Sequence, residues 1–456
     1  MTAKQENKDA IIDRVARPCP EWLKRSVMYQ IFLRAFTVEG TLKAAEKRLP
    51  RLAELGVDIV YLCPICLQDD DMRTEFWSKR QKSSQMNNPK NPYRIKDYYQ
   101  LDHEYGSEND LREFVATAHG LNIRVLLDVV YFHCGPTAKL IIEHPDSVSR
   151  SPEGEPLVGE WHFPVLNFES LRLREHLWEN MEYWVRDFGV DGYRCDASDH
   201  VPLDFWEEGR RRLEKINAEV ILLAESYRPD DQLRGFDLNY SHLNYAIGTT
   251  ITEGKPASGL RTVWEDMRAA FPRGARFVRF IDNHDLANDS SERRTESVWG
   301  AEGTNAALVL IFTLDGVPYL YNGQEIADKA QHSIFAKLTI DWPNAARPEG
   351  QKRFALCRRL CELRHTERAL TEGEVIWLEN GQEDAVISFE RKSGSERMLV
   401  VVNLSHSKVD ACLKAFPEAP ATLRELLSSG ASLAPSDAKS HLRIGLEGLG
   451  YFVGKL

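Results

Sequence analysis

Short apolar runs, rich in β-branched residues, recur along the chain, each followed by a longer amphipathic stretch. SVMYQIFL, VDIVYLCPI, IRVLLDVV, VDGYRCD, EVILLAES, RFVRFID and VPYLYNGQE read as buried strands, with one more, weakly marked, near FDLNYSHLNYAI. Between them, TLKAAEKRLPRLAELG, ENDLREFVATAHGLN, SLRLREHLWENMEYWVRDFG and TNAALVLIFTLDG carry helical spacing, and most close near a Gly or Asn that can end a helix. Alternating strands and helices predict parallel strands joined by right-handed crossovers. Eight such strands predict an α/β fold, a closed (β/α)8 TIM barrel.

Two segments break the alternation. Cys66 to Pro92 is rich in charge, Asn and Pro and reads as a long loop above the barrel rim. Cys134 to Phe168 reads as a short, irregular subdomain inserted after strand 3, and loops this long are usually functional walls or lids. After about residue 375 the texture changes to short alternating runs such as DAVISFERKS and RMLVVVNLS, which predict an antiparallel β-sandwich. The expected division is an N-terminal extension (1–20), a barrel (21–375, with the inserted subdomain at 134–168) and a C-terminal β-sandwich (376–456).

Four of the strands end in charged or imidazole side chains: Asp128 to His133, Arg194 with Asp196, Glu225, and His284 with Asp285. Unpaired buried charge is costly, so a strand ending this way is poor core design. Four such ends imply one shared site, and a barrel of this kind carries its catalytic groups at the carboxyl ends of its strands.

The chain has 456 residues, 43% of them hydrophobic and 28% charged, which suits a globular protein with a barrel plus an added module. A net charge of −11 argues against a nucleic-acid or anionic-membrane surface and is compatible with a neutral substrate. The longest apolar runs, such as AALVLIFTL, are too short to span a bilayer, so no membrane association is expected. MTAKQENKDAIIDRVARPCPEW has no hydrophobic signal-peptide core, so a cytoplasmic location is expected. The eight cysteines are scattered, and the two-residue gap of Cys63 and Cys66 is an isolated pair, so reduced thiols are the simpler reading.

DVVYFH at Asp128, GYRCD at Gly192, the Glu of LLAES at Glu225 and FIDNHD at Phe280 occur in one order and spacing. In this the chain resembles the α-amylase family of retaining glycoside hydrolases, from about Tyr29 to the C-terminus. NPYRIKDYYQLDHEYGSENDLREFVATAH and YNGQE add to the resemblance, which implies that Tyr93 stacks on the sugar next to the scissile bond.

Retaining hydrolysis needs one carboxylate that attacks the anomeric carbon and a second carboxyl that protonates the leaving oxygen. Arg194 lies two residues before Asp196, on the same strand face, where its guanidinium would hold Asp196 ionised. Glu225 follows an apolar strand that would raise its pKa. Asp196 is therefore expected to be the nucleophile, Glu225 the acid and base, and Asp285 a third carboxylate that binds ring hydroxyls and favours the cationic transition state. His133 and His284 are expected to be neutral donors to sugar hydroxyls. The resemblance gives the same positions the same roles. The expected separation of the Asp196 and Glu225 carboxyls is about 5 to 6 Å. Asp128, Asp191 and Asp282 read as buried support, and Trp77, Trp161 and Phe163 as aromatics open to either packing or sugar stacking.

The chain departs from the family pattern in three places. Phe132 and Val165 stand where an Asn and an Asp usually coordinate calcium between barrel and insert, so no calcium, and no other cofactor, is expected. Asp199-His200 replaces a Lys-His pair common in starch-cleaving relatives, which favours a small oligosaccharide over polymeric starch. Three readings follow: an α-glucosidase-like hydrolase of short α-glucosidic oligosaccharides, a glucosyl transferase or phosphorylase using the same intermediate, and a non-catalytic binding protein on the same barrel.

Overall fold

The computed structural model describes residues 11–287, 294–414, 423–437 and 441–456. Eight strands form one parallel sheet: β1 (Met28–Ile31), β2 (Ile59–Leu62), β3 (Arg124–Val129), β4 (Gly192–Cys195), β5 (Ile221–Ala224), β6 (Leu238–Asn239), β7 (Val278–Arg279) and β8 (Val317–Tyr321). Each pairs with the next from β1 to β6, and β8 pairs with both β1 and β7. A parallel bridge between Asn239 and Phe277 joins β6 to the entry of β7 and closes the barrel.

Strand alternation sorts the core into two layers. Met28, Ile59, Tyr61, Leu126, Ile221, Leu223, Val278 and Tyr319 fill the barrel interior as one apolar cluster. Their neighbours Tyr29, Val60, Val125, Tyr193, Leu222 and Leu320 face outward into the layer packed by the helices. At the start of β4 only glycine fits, because a Cβ on Gly192 (φ +150°) would sit 1.9 Å from the Ile221 carbonyl oxygen.

Two expected elements are redrawn. The weak sixth strand is only Leu238–Asn239, and the rest of the run is a helix, Leu243–Glu253. Leu243, Ile247 and Ile251 recur at fours and are buried, so helical period wins over β propensity there. The stretch expected as one helix at 41–56 is two, Leu42–Glu46 and Leu49–Leu55, with Pro50 placed in the first turn of the second.

The long loop after β2 is more ordered than its composition suggests. It contains a rim hairpin of Cys66–Gln68 with Ile95–Leu101, a 3-10 turn Thr74–Phe76 and a short helix Lys79–Ser83. The insert after β3 is held by bridges, including Val148 with Leu166 and His133 with Val165. The C-terminal module is antiparallel: β9 (Glu374–Trp377), β10 (Val386–Ser393), β11 (Glu396–Asn403), β12 (Val409–Leu413), β13 (Arg424–Asp437) and β14 (His441–Lys455). Its strands link into one sheet, in which β14 pairs with β11, β12 and β13. Among the described residues, no helix is long and apolar enough to cross a membrane.

Candidate active site

The seven residues picked out by the sequence lie together at the carboxyl ends of the strands. Tyr93, His133, Asp196, Glu225, His284 and Asp285 line one cleft of about 690 Å³, and the seventh, Arg194, is fully buried beneath it. That volume is within the range of small-ligand sites.

Arg194 is the hub. Its Nη1 donates to Asp128 Oδ1 at 2.7 Å and to Asp196 Oδ1 at 2.8 Å. Its Nη2 lies 2.6 Å from Glu225 Oε2 but off the N–H direction, an ion pair rather than an aligned hydrogen bond. The Glu225 carboxylate instead accepts from the Ala197 N–H at 3.0 Å. Ala197 can aim that N–H because it adopts a left-handed conformation (φ +40°) directly after Asp196.

A second chain of bonds sets the imidazoles. Gln30 Nε2 donates to His284 Nδ1 at 2.8 Å, which leaves the His284 proton on Nε2, facing the Tyr93 hydroxyl and lying 3.4 Å from Asp285 Oδ2. The Tyr93 hydroxyl in turn donates to Asp128 Oδ2 at 3.0 Å, and its ring stacks on His284 with centroids 5.3 Å apart. His133 Nε2 donates to the Tyr93 carbonyl at 2.9 Å, so its Nδ1 is a bare acceptor, buried and without a hydrogen-bond partner among the described residues. His133 thus differs from expectation: its one N–H is committed to the Tyr93 carbonyl, so it has none left to donate to a sugar hydroxyl. Burial pushes both imidazoles down to about 4, so both are neutral.

The electrostatics correct a second expectation. Burial pushes Asp196 up to about 7, and Arg194 only partly offsets it, because the same guanidinium also serves Asp128 and Glu225. Glu225 is likewise pushed up to about 7 by burial, against Arg194. Asp128 rises to about 6 for the same reason. Three carboxylates around one cation cannot all ionise cheaply, so the cluster retains a proton near neutrality. Asp285 goes the other way: burial pushes it up, but His284, Arg80 and Arg194 together hold its carboxyl below the ordinary range.

The sequence matches the family Alpha-amylase (Alpha amylase, catalytic domain) over residues 5–155 and 158–355. The chain belongs to the α-amylase family. Over 405 residues it is 29% identical to α-amylase MalA of Haloarcula japonica, a match covering 84% of this chain and 56% of that relative. It is 26% identical over 434 residues to a cyclomaltodextrinase from a Bacillus species, covering 84% of this chain and 73% of that one. The crystal structure of maltogenic α-amylase AmyB from Thermotoga neapolitana superposes with a TM-score of 0.80 at 26% identity, covering 95% of this chain and 99% of that one.

In this α-amylase-family chain several cleft residues escaped sequence reading. Arg80, Glu160 and Tyr227 line the cleft, as do Asp199 and His200, which the sequence marked only as a departure. Nothing in "WSKRQKSS" distinguishes Arg80 from a solvated loop charge. Of the aromatics left open, Trp161 and Phe163 line the cleft, whereas Trp77 is buried and donates through Nε1 to the Asp71 carbonyl. Asp282 and Asp191 are support: the first accepts from Arg294 Nε at 2.8 Å, the second from the Val125 N–H at 2.8 Å. Cys63 and Cys66 form no disulfide; their sulfurs bond Gln30 and the Tyr98 carbonyl.

Proposed function

We propose that this chain is a retaining α-glycoside hydrolase acting on short α-glucosidic oligosaccharides through a covalent glycosyl-enzyme intermediate. The observation that carries the reading is the placement of Asp196 and Glu225 on neighbouring nitrogens of one guanidinium at the cleft floor. Such closeness suits the about 5–5.5 Å of a retaining pair better than the about 6.5–9.5 Å that an inverting pair needs to admit water. Asp196, aligned with Arg194 Nη1, attacks the anomeric carbon while the glycosidic C–O bond breaks and Glu225 gives its proton to the leaving oxygen. Water then enters, Glu225 takes its proton, and the ester to Asp196 breaks. Asp285, held ionised, faces the positive charge that develops on the ring. The relatives' names point to α-glucans, and the size of the cleft supports a short one. Proton NMR of the reaction tests the reading: the α-anomer appears before mutarotation, and an Asp196→Asn variant yields nothing. A β-anomer as first product overturns it.

The raised carboxyls set the pH dependence. A carboxyl with a raised pKa keeps its proton until the pH passes that value, so below about 7 the pair is doubly protonated and lacks a nucleophile. Above it both groups ionise and the acid is lost, so the singly protonated pair is the active form. The expected kcat/KM profile is a bell centred near neutrality. An acid limb in the ordinary carboxylate range, about pH 4, with full activity at pH 5, would count against it.

The residues at the family's usual calcium position do not fit that cation. The Phe132 ring packs among His133, Trp161 and His200, with the last centroid 4.7 Å away, and supplies no oxygen. Val165 contributes only backbone, pairing with His133 across the insert boundary. Aromatic packing takes over the stapling role, so neither added calcium nor a chelator is expected to move the thermal unfolding midpoint. A rise with calcium that chelation reverses would refute this.

A further inference from the structure

We propose that Arg80 closes the glycone end of the cleft, so that a single sugar ring fits ahead of the bond that breaks and the enzyme trims its substrate one residue at a time. The inference rests on the hydrolase reading above and adds a direction of attack and a specificity-determining residue.

The cleft has two chemically distinct ends. Glu225 protonates the leaving oxygen, so the departing sugar lies on its side, beside Ala197, Asp199 and Tyr227. Asp285 serves ring hydroxyls of the sugar that stays, so the groups bonded to Asp285 lie beside that sugar rather than beside the one that leaves. Arg80 is one of them. Its Nη1 donates to Asp285 Oδ1 at 2.8 Å and its Nη2 to the His284 carbonyl at 2.9 Å. Two bonds from one planar guanidinium fix its orientation as well as its position. Asp285 Oδ2 remains toward His284 Nε2, placed to meet a hydroxyl. On this proposal a second ring joined to that first sugar meets the guanidinium, which lines the cleft beside Asp285.

The arginine is delivered by a braced segment. It sits on the helix Lys79–Ser83, whose first turn is capped by the Ser78 hydroxyl accepting from the Gln81 N–H. Gln81 Nε2 donates to the Asn88 and Pro89 carbonyls, tying the two legs of the loop together. Asn88 Nδ2 donates to the Phe335 carbonyl at 2.7 Å, and Trp77 is 95% buried at the loop base, with 5% exposure. Displacing Arg80 therefore means disturbing the whole loop, which suits a wall.

The test follows the first product from maltotetraose and isomaltotetraose carrying a fluorophore at the reducing end. Wild type is expected to release a labelled trisaccharide first. Arg80→Ser, with a thermal unfolding midpoint near wild type, is expected to add labelled disaccharide as a major first product, since two rings then fit ahead of the cleaved bond. Arg80→Lys, which keeps a cation in place, and Arg73→Ser, an exposed change in the same loop, keep the wild-type order. If Arg80→Ser does not fold, Arg80→Gln replaces it. A wild type that releases labelled di- or monosaccharide first overturns the proposal while leaving the hydrolase reading intact, as does a folded Arg80→Ser with an unchanged product order. A wild type that cleaves neither sugar, nor sucrose nor trehalose, overturns the hydrolase reading itself.

Discussion

Asp196→Asn is expected to lower kcat by about 10⁴-fold or more while leaving the thermal unfolding midpoint at or above that of wild type. The two halves of that expectation have separate causes. The amide oxygen of Asn can still accept from Arg194 Nη1, so the bond now made at 2.8 Å survives, but a neutral amide cannot attack the anomeric carbon. The stability side follows from burial. Asp196 is pushed up to about 7 because its charge is held away from water, and removing a charge that burial disfavours relieves a cost. Glu225→Gln provides the matched control: its kcat should fall by about 10²–10⁴-fold on natural sugars. It should fall far less on aryl glycosides, whose leaving group needs no proton. A folded variant at Asp196 that retains more than a few per cent of activity would remove it from the role of nucleophile, and a variant that unfolds would overturn the stability half.

Much of the cleft floor was legible because the sequence placed charge where an apolar strand should continue into core. RVLLDVVYFH, VDGYRCD, VILLAES and RFVRFIDNHD each break that rule at a strand end, and the barrel turns four such breaks into one cluster. The inward layer was equally legible, since period-two alternation sends Tyr61 and Leu126 one way and Val60 and Val125 the other. What stayed hidden was context. The sixth strand is two residues long, too short for any period to register. Arg80 reaches the site through a loop whose composition is that of any solvated surface. The ionisation of Asp196 depends on how many carboxylates share Arg194, and a pair at i and i+2 reveals only one of them. The tautomer of His133 depends on the Tyr93 carbonyl, which lies forty positions away and is invisible to motif or spacing.

Removing the guanidinium should have the largest effect on stability. Arg194→Met leaves Asp128, Asp196 and Glu225 facing one another without the cation that now lies within 2.9 Å of each. Stripping one partner from a buried ion cluster costs about 3–5 kcal/mol, so a large loss of folding stability is expected at neutral pH. The loss should depend on pH in a fixed direction. These carboxyls already have folded-state pKa values above their unfolded ones, and without Arg194 they rise further. A carboxyl raised on folding carries stability that is lost as pH rises, so the variant weakens more steeply than wild type toward alkaline pH. The two converge as pH falls toward about 4, where the carboxyls are protonated in both folded proteins. Arg194→Lys sharpens the argument. It restores charge but offers one ammonium in place of a fork, so it should recover part of the stability while kcat stays low, because Asp196 and Glu225 are no longer held on adjacent nitrogens. Urea unfolding of wild type and both variants at pH 5 and pH 8, alongside kcat, separates these effects. Equal stability of wild type and Arg194→Met at pH 8 would mean that Arg194 does not neutralise the cluster.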